Sequence, residues 1–135
     1  MTYPLPVVVG LTVCRDFIRD PASGNYSVIR SFTGHPIDSF PGTGEPFCVF
    51  AILTDGVGEI DAELVISWFG DEEFVEYARV RGRINFPDPL QLVECVFRFQ
   101  QFPFPGSGVF LFTLFLGEEW AAQKALRVYQ RENHS

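Results

Sequence analysis

His35, Asp38 and Ser39 have the residue types of a hydrolase triad, namely an imidazole, a carboxylate and a hydroxyl. Members of such triads normally come from distant segments of a chain, whereas these three crowd into one turn-rich segment. The sequence around them contains neither a nucleophile elbow nor a glycine-rich oxyanion loop. Hydrolysis in the His35 region is therefore the least favoured of three functions for this chain, and we expect a protein that is not an enzyme.

A row of carboxylates is a candidate calcium site. Glu59, Asp61 and Glu63 alternate along one segment, and Asp55 lies shortly before them. Calcium needs several oxygen ligands at once, but carboxylates on one face of a strand lie about 7 Å apart. The turn at Asp55 also lacks the order of acidic residues that an EF-hand loop requires. We therefore expect ion pairs here and no bound metal.

The three cysteines, Cys14, Cys48 and Cys95, are far apart in the sequence and form no C-x-x-C pair. Their spacing fits neither a disulfide-rich secreted scaffold nor a zinc ribbon. A catalytic cysteine would need a nearby base, and the histidines of the chain are His35 and His134. We expect reduced thiols in the core of a cytoplasmic protein.

Composition indicates one acidic domain that spans residues 1–135. The chain has 10 Lys and Arg against 17 Asp and Glu, a formal net charge of -7, and 47% of its residues are hydrophobic. Such a charge repels a phosphate backbone, which argues against nucleic acid as a partner. We expect no membrane insertion, because no apolar stretch approaches the roughly 20 residues of a spanning helix. We expect no cofactor, because no nucleotide-binding glycine motif occurs.

Nearly every segment alternates apolar and polar residues between clusters of Gly, Pro, Asp and Asn, a pattern typical of antiparallel strands. We predict an all-β fold, a single antiparallel β-sandwich of about seven or eight strands, immunoglobulin-like or C2-like. The predicted strands span residues 5–19, 26–32, 47–53, 60–68, 74–84, 90–100, 109–116 and 120–130. Residues 34–46 are expected to form an irregular edge segment.

Alternation also predicts which side chains face the core. The inward set comprises Val7, Val9, Leu11, Val13 and Phe17, then Ile60, Ala62, Leu64, Ile66 and Trp68, then Phe74, Ala78, Val80 and Ile84, and later Cys95. Glu59, Asp61 and Glu63 then point outward, and they oppose the outward Arg79, Arg81 and Arg83 across the hairpin if residues 70–72 or a slightly longer odd-length loop join the two strands.

Two predicted strands, residues 47–53 and 109–116, are apolar on both faces. Each of their faces must be covered by the chain, a partner or another subunit. The loop at residues 102–105 is also apolar. We predict that Phe102 or Phe104, with Phe40 and Phe47, forms a self-association or partner surface. The alternative is that both loop rings fold back and cap one end of the sandwich.

Two further patterns lie near the two ends of the sequence. The first is residues 13–20 (VCRDFIRD) followed by residues 24–29 (GNYSVI), and the second is residues 104–112 (FPGSGVFLF) followed by residues 126–128 (LRV). Together they resemble a family of small uncharacterised bacterial proteins classed as a domain of unknown function. The chain departs from the family pattern at Val109, where Tyr is usual, and at Gly117, which begins a turn without the usual Asp-Gly. The resemblance implies a β-sandwich and transfers no catalytic residue.

The sequence therefore predicts a non-enzymatic protein-interaction or assembly module, whose complex is formed with a protein partner or as a homo-oligomer. The alternative is a small-ligand or carbohydrate-binding sandwich. Its aromatic rings would come from Tyr26, Trp68 or Trp120 on a concave face.

Overall fold

The computed structural model describes residues 6–70 and 73–132, and within those ranges the chain is all-β, as predicted. No helix in the described ranges is long and apolar enough to cross a membrane. The strands are β1 (Val7–Arg19), β2 (Tyr26–Ser31), β3 (Gly34–Ile37), β4 (Gly42–Thr43), β5 (Phe47–Thr54), β6 (Gly58–Phe69), β7 (Phe74–Phe86), β8 (Val93–Phe99), β9 (Pro103–Phe104), β10 (Gly108–Leu116) and β11 (Glu119–Gln130).

The strands form two larger sheets that share one core. The first sheet has the order β2-β1-β5-β8 and the second the order β3-β11-β10-β6-β7, while β4 and β9 pair separately. The pairing of β3 with β11 is parallel, and the others are antiparallel. One hydrophobic cluster combines Val13 and Leu53 of the first sheet with Leu64, Phe112 and Leu126 of the second. Because burying one such side chain contributes about 1.5–3 kcal/mol, this cluster holds the two sheets together.

The described chain has more strands than the seven or eight predicted. The additional strands β3, β4 and β9 are short and lie where an irregular segment and a loop were expected. They are rich in Gly and Pro, residues that usually mark turns. Pro36 is tolerated because β3 is an edge strand. Residues 120–130, in contrast, lie in strand β11 as predicted, and β11 pairs with β10.

A β-bulge in β7 controls the register of the β6–β7 hairpin. Ser67 pairs with Glu76 but Ile66 pairs with Ala78, which leaves Tyr77 as an extra residue. Phe69 and Phe74 pair next to the connection, so the connection is even in length, not odd as expected. Its residues 71 and 72 lie outside the described ranges. The bulge shifts the register by one residue and so restores the predicted opposition of carboxylates and arginines.

The bulges also explain where alternation assigns the wrong face. Phe74 lies beyond the bulge and is 58% exposed, although alternation predicts it inward. In β1 the register shifts between Val8 and Gly10, so that Val7 and Val9 are exposed and Val8 packs against the core. One inserted residue reverses the facing of every side chain beyond it.

Candidate functional site

Strand β5, which is apolar on both faces, is covered on its outward side by the chain itself. Cys48 and Phe50 lie there in a second, smaller hydrophobic cluster on the outside of the first sheet. The ring of Phe17 stacks on Phe50 with 4.4 Å between ring centroids, and the ring of Tyr26 lies 5.2 Å from it. Phe17 is therefore in this outer cluster, not in the core as predicted, and the β1–β2 hairpin covers β5.

Strand β10, the other strand apolar on both faces, has no second hydrophobic cluster on its outward side among the described residues. Val109, Leu111 and Phe115 point outward and are at least partly exposed, and neither hydrophobic cluster includes them. Between them, Thr113 accepts a hydrogen bond of 2.9 Å from the side-chain amide of Gln123. We call the outward side of the second sheet the open face.

The register gives the layout of the open face. Each row runs across β7, β6, β10 and β11 in that order. The first row is Arg81, Glu63, Phe115 and Trp120, and the second is Arg79, Val65, Thr113 and Gln123. The third row is Glu76, Ser67, Leu111 and Ala125, and the fourth is Phe74, Phe69, Val109 and Arg127. The first two rows combine Arg79, Arg81 and Glu63 with aromatic, aliphatic and polar side chains, and the last row combines three large apolar residues with Arg127.

Ion pairs between β6 and β7 occupy the charged end of the open face. Arg83 Nε lies 3.2 Å from Asp61 Oδ1, and Arg81 Nε lies 3.1 Å from Glu63 Oε2. Arg79 Nη1 lies 2.6 Å from Glu63 Oε1. The predicted opposition of the two charge rows is confirmed. These carboxylates already have cationic partners, so the structure offers no support for the calcium site.

The strand residues of the open face are electrically balanced, in contrast to the whole chain. Hydrogen bonds between Arg79 and Glu76 raise the pKa of Arg79 and lower the pKa of Glu76. The charged strand residues of the face are Arg79, Arg81, Arg83 and Arg127 against Glu59, Asp61, Glu63 and Glu76. Among these strand residues the numbers of each sign are equal, and Glu118 of the adjoining turn adds one negative charge at the groove, on a chain whose net charge is -7.

The far end of the open face is apolar. Phe69 and Phe74 pair across β6 and β7 and are 50% and 58% exposed, and Val109 lies on the other side of Phe69. Trp120, opposite Phe115 at the charged end, is 60% exposed. A neighbouring set of exposed apolar side chains on a folded domain commonly marks a contact surface.

A groove of about 710 Å³ lies over the charged end of the open face. Glu63, Val65, Arg79, Arg81 and Phe115 are among the residues that line it. Its volume is within the range of small-molecule sites, and its lining combines one aromatic ring with donors and acceptors of both charges.

The phenylalanines predicted to form an interface pack mostly inward. Phe104 and Phe47 are buried in the core, with 6.0 Å between ring centroids, so neither ring is exposed to a partner in this structure. Phe102 packs edge-on against Phe104 at 4.9 Å, and Phe40 is half-buried against the same core. The alternative, in which the loop rings fold back, is confirmed. A partner contact by Phe40 or Phe102 stays a prediction.

His35 is a buried residue of this aromatic region. The rings of Phe32, Phe47 and Phe104 surround it at centroid distances of 5.0, 5.7 and 5.6 Å. Neither imidazole nitrogen has a hydrogen-bond partner among the described residues. Burial lowers the pKa of His35, and the nearby Glu45 carboxylate opposes that shift.

The other members of the hydrolase triad do not join His35. Asp38 Oδ1 lies 3.7 Å from Arg131 Nε on the surface, and Ser39 is exposed. His134, the other histidine, lies outside the described residues. No hydrogen bond among the described residues links the three side chains.

The aromatic rings considered for carbohydrate binding lie in three different places. Tyr26 belongs to the outer cluster of the first sheet. Trp68 stacks on Phe110 at the inner side of the second sheet and donates a hydrogen bond of 3.1 Å to the Ser107 carbonyl oxygen. Trp120 alone of the three lies on the open face, so the ring set expected from sequence is not assembled.

The three cysteines are buried free thiols. Cys95 lies in the main core, as predicted, and burial raises its pKa to about 11. Cys14 and Cys48 lie instead in the outer cluster of the first sheet. Among the described residues no group of three His, Cys, Asp or Glu side chains could hold a metal ion.

The fold and the site define an all-β protein in which two sheets share a core and the second sheet leaves one outward face open. The chain belongs to DUF6941, a family of unknown function, whose family model matches residues 10–129. No curated protein matches it significantly. The signal for the open face was present in the sequence as the doubly apolar segment 109–116, but its location on the second sheet required the strand order.

Proposed function

We propose that this protein is a non-enzymatic assembly module whose open face binds the open face of a second copy. In this proposal the fold is an immunoglobulin-like or C2-like sandwich that works in a bacterial cytoplasm. The observation that carries the proposal is the difference between the two doubly apolar strands. The chain covers the outward side of β5, whereas Val109, Leu111 and Phe115 of β10 belong to neither hydrophobic cluster and are at least partly exposed.

The size of the open face suits a dimer. The rows of the face span four strands spaced about 4.8 Å apart, and β10 has nine residues with a rise of about 3.4 Å each. Its footprint is therefore on the order of 600 Å², at the lower end of the roughly 600–1,000 Å² that each partner contributes to a standard interface.

The charge distribution also favours a second copy. Two chains of net charge -7 repel each other, and the repulsion is weakest where the approaching surfaces are neutral. The strand residues of the open face carry nearly balanced charge, because Asp61 and Glu63 are paired with arginines of the same chain. Phe69 and Phe74, the exposed uncharged side chains at its apolar end, can then lose their exposure in the contact.

Light scattering across a concentration series tests the proposal. The wild-type chain, 15.3 kDa as a monomer, is expected to reach the mass of a dimer as its concentration rises. Phe69→Lys places a charge at the centre of the apolar end and should leave a monomer. Ile18→Lys is the matched control, since Ile18 is 58% exposed in β1 of the other sheet, and it should still dimerise. A wild-type monomer at every concentration up to the millimolar range would reject the proposal.

The alternative function is binding of a small polar ligand or carbohydrate. The groove of about 710 Å³ favours it, because Phe115 offers a stacking surface beside Arg79, Arg81 and Glu63. Screening a carbohydrate library by thermal shift tests this alternative, with Phe115→Ala as the variant that should abolish any stabilisation. A monomeric protein stabilised by one sugar class would support this alternative over the dimer.

A further inference from the structure

Cys14 and Cys48 form a close dithiol pair on the outside of the first sheet. They lie directly opposite each other on β1 and β5, and their sulfur atoms are 3.5 Å apart. Both side chains are buried, at 0% and 1% exposure. Cys95 lies in the separate main core, so the chain combines one paired site with one isolated thiol that serves as an internal control.

The backbone at this position already suits a disulfide. Directly opposed residues of antiparallel strands have Cα atoms about 4.5 or 5.5 Å apart, and both values lie within the range of about 4.4–6.8 Å found for disulfides. The sulfur atoms must approach by about 1.5 Å to reach bonding distance. Side-chain rotation can supply a movement of that size, so the two strands need not separate.

We propose that Cys14 and Cys48 are an oxidisable site that closes to an intramolecular disulfide in reaction with a small-molecule disulfide such as oxidised glutathione. One cysteine thiolate attacks a sulfur of glutathione disulfide, its S–S bond breaks, and one glutathione thiolate leaves. The second cysteine thiolate then attacks the protein sulfur of the mixed disulfide and displaces the second glutathione. The two protein thiols lose two electrons and two protons, and one glutathione disulfide becomes two glutathione thiols.

Access to the pair requires a local opening of the β1–β2 hairpin. Phe17 and Tyr26 of this hairpin lie over the outer cluster that contains both thiols. Burial raises the pKa of Cys14 to about 12 and also raises the pKa of Cys48, so the closed state holds little thiolate. Because β2 is an edge strand whose residues are mostly exposed, opening there disturbs little of the core.

The formation of this disulfide would restrain the two strands, β1 and β5, that carry the outer cluster. The bond would join β1 to β5 close to Asp16 and Phe17 of β1. It would also lie next to Arg98, which pairs with Cys48 across β5 and β8. Arg98 Nη1 lies 3.4 Å from Asp16 Oδ1, and its guanidinium lies 5.3 Å from the centre of the Phe17 ring. Closure therefore fixes the strands that carry this cation–aromatic group.

The test uses the full chain equilibrated in glutathione buffers of increasing oxidising strength, quenched with acid and alkylated under denaturing conditions. We expect two of the three thiols to become protected together, a mass loss of about 2 Da, and a linked pair of proteolytic peptides that contain Cys14 and Cys48. Dithiothreitol should reverse the change. Cys95→Ser should give the same linked peptides, whereas Cys14→Ser and Cys48→Ser should give none.

Three outcomes would overturn the proposal: three reactive thiols in every buffer, a stable glutathione adduct on one cysteine, or a linked species that includes Cys95. The peptide map of the wild-type chain decides between them without any variant. Its result therefore stands even if Cys14→Ser fails to fold.

Discussion

Tyr77, the extra residue of the bulge in β7, donates a hydrogen bond of 2.6 Å from its hydroxyl group to the carbonyl oxygen of Pro103 in β9. Its ring also packs edge-on against Phe102, with 5.6 Å between ring centroids. The bulge thus has two effects. It brings the charge rows of the open face into register, and it ties the 102–105 segment to the second sheet.

Tyr77→Phe should lower the free energy of unfolding by about 0.5–1.5 kcal/mol, because it removes this hydrogen bond and keeps the ring. Urea unfolding followed by tryptophan fluorescence measures the change. Tyr129→Phe is the control, since Tyr129 is 40% exposed, and it should have an effect close to zero. Equal effects of the two changes would show that the Tyr77 hydroxyl does not fix the 102–105 segment.

Phe104→Ala should lower the free energy of unfolding by about 3–5 kcal/mol, because it opens a cavity in a fully buried aromatic cluster. Phe104 contacts the rings of Phe47, Phe102 and Phe110. Phe69→Ala, on the open face, should cost much less stability. Calorimetric or urea unfolding of both variants separates a core role from a surface role, and a mild effect of Phe104→Ala would contradict its placement in the core.

His35 should make the protein less stable in mildly acidic solution. The pKa of His35 is lowered in the folded chain, chiefly because its ring is buried. Below an unfolded pKa of about 6.5 the unfolded chain binds a proton that the folded chain does not yet accept. The free energy of unfolding should therefore be highest above pH 6.5 and fall as the pH decreases toward the folded pKa.

His35→Leu is the variant that tests this pH dependence. Urea unfolding at pH 7.5 and at pH 5 should give a smaller difference for the variant than for the wild-type chain. Carboxylate titrations remain in both proteins and act as the background. The same pH slope in both proteins would mean that His35 gains its proton equally well in the folded chain.

Glu63→Gln should have little effect on stability at moderate salt. Glu63 pairs with both Arg79 and Arg81, but these arginine side chains are exposed, and surface pairs contribute little once solvent and salt screen them. The small loss expected at low ionic strength should disappear near 1 M NaCl. A large loss that persists in salt would instead indicate that the pair is structural.

The register of the charge rows shows how far the sequence alone could go. Alternation along β6 and β7 correctly placed the carboxylate row opposite the arginine row, and the structure adds the register, in which Asp61 pairs with Arg83 and Glu63 with Arg81. It could not place Phe74, because a bulge inserts one residue without any Gly or Pro to mark it. Similarly, nothing local indicates that Phe17 turns to the outside of the first sheet, where the Phe50 ring gives it a stacking partner.

The candidate site was harder to predict than the fold. The exposed loop suggested by Phe102 and Phe104 is a cap on the core, since long-range contacts with Tyr77 and Phe47 fold it inward. In the sequence, the only indication of the open face was the segment 109–116, which has no polar face. Which of two such segments the chain covers depends on strand order, and strand order is set by contacts between distant residues.

Strand β7 forms one edge of the second sheet and is thirteen residues long. An edge of that length normally invites strand addition and growth into fibres. Here the bulge at Tyr77 interrupts its ladder, and Arg79, Arg81 and Arg83 would meet like charges on an identical antiparallel edge. Polymerisation through β7 is therefore disfavoured, whereas in the proposed dimer a twofold contact between open faces stops at two chains.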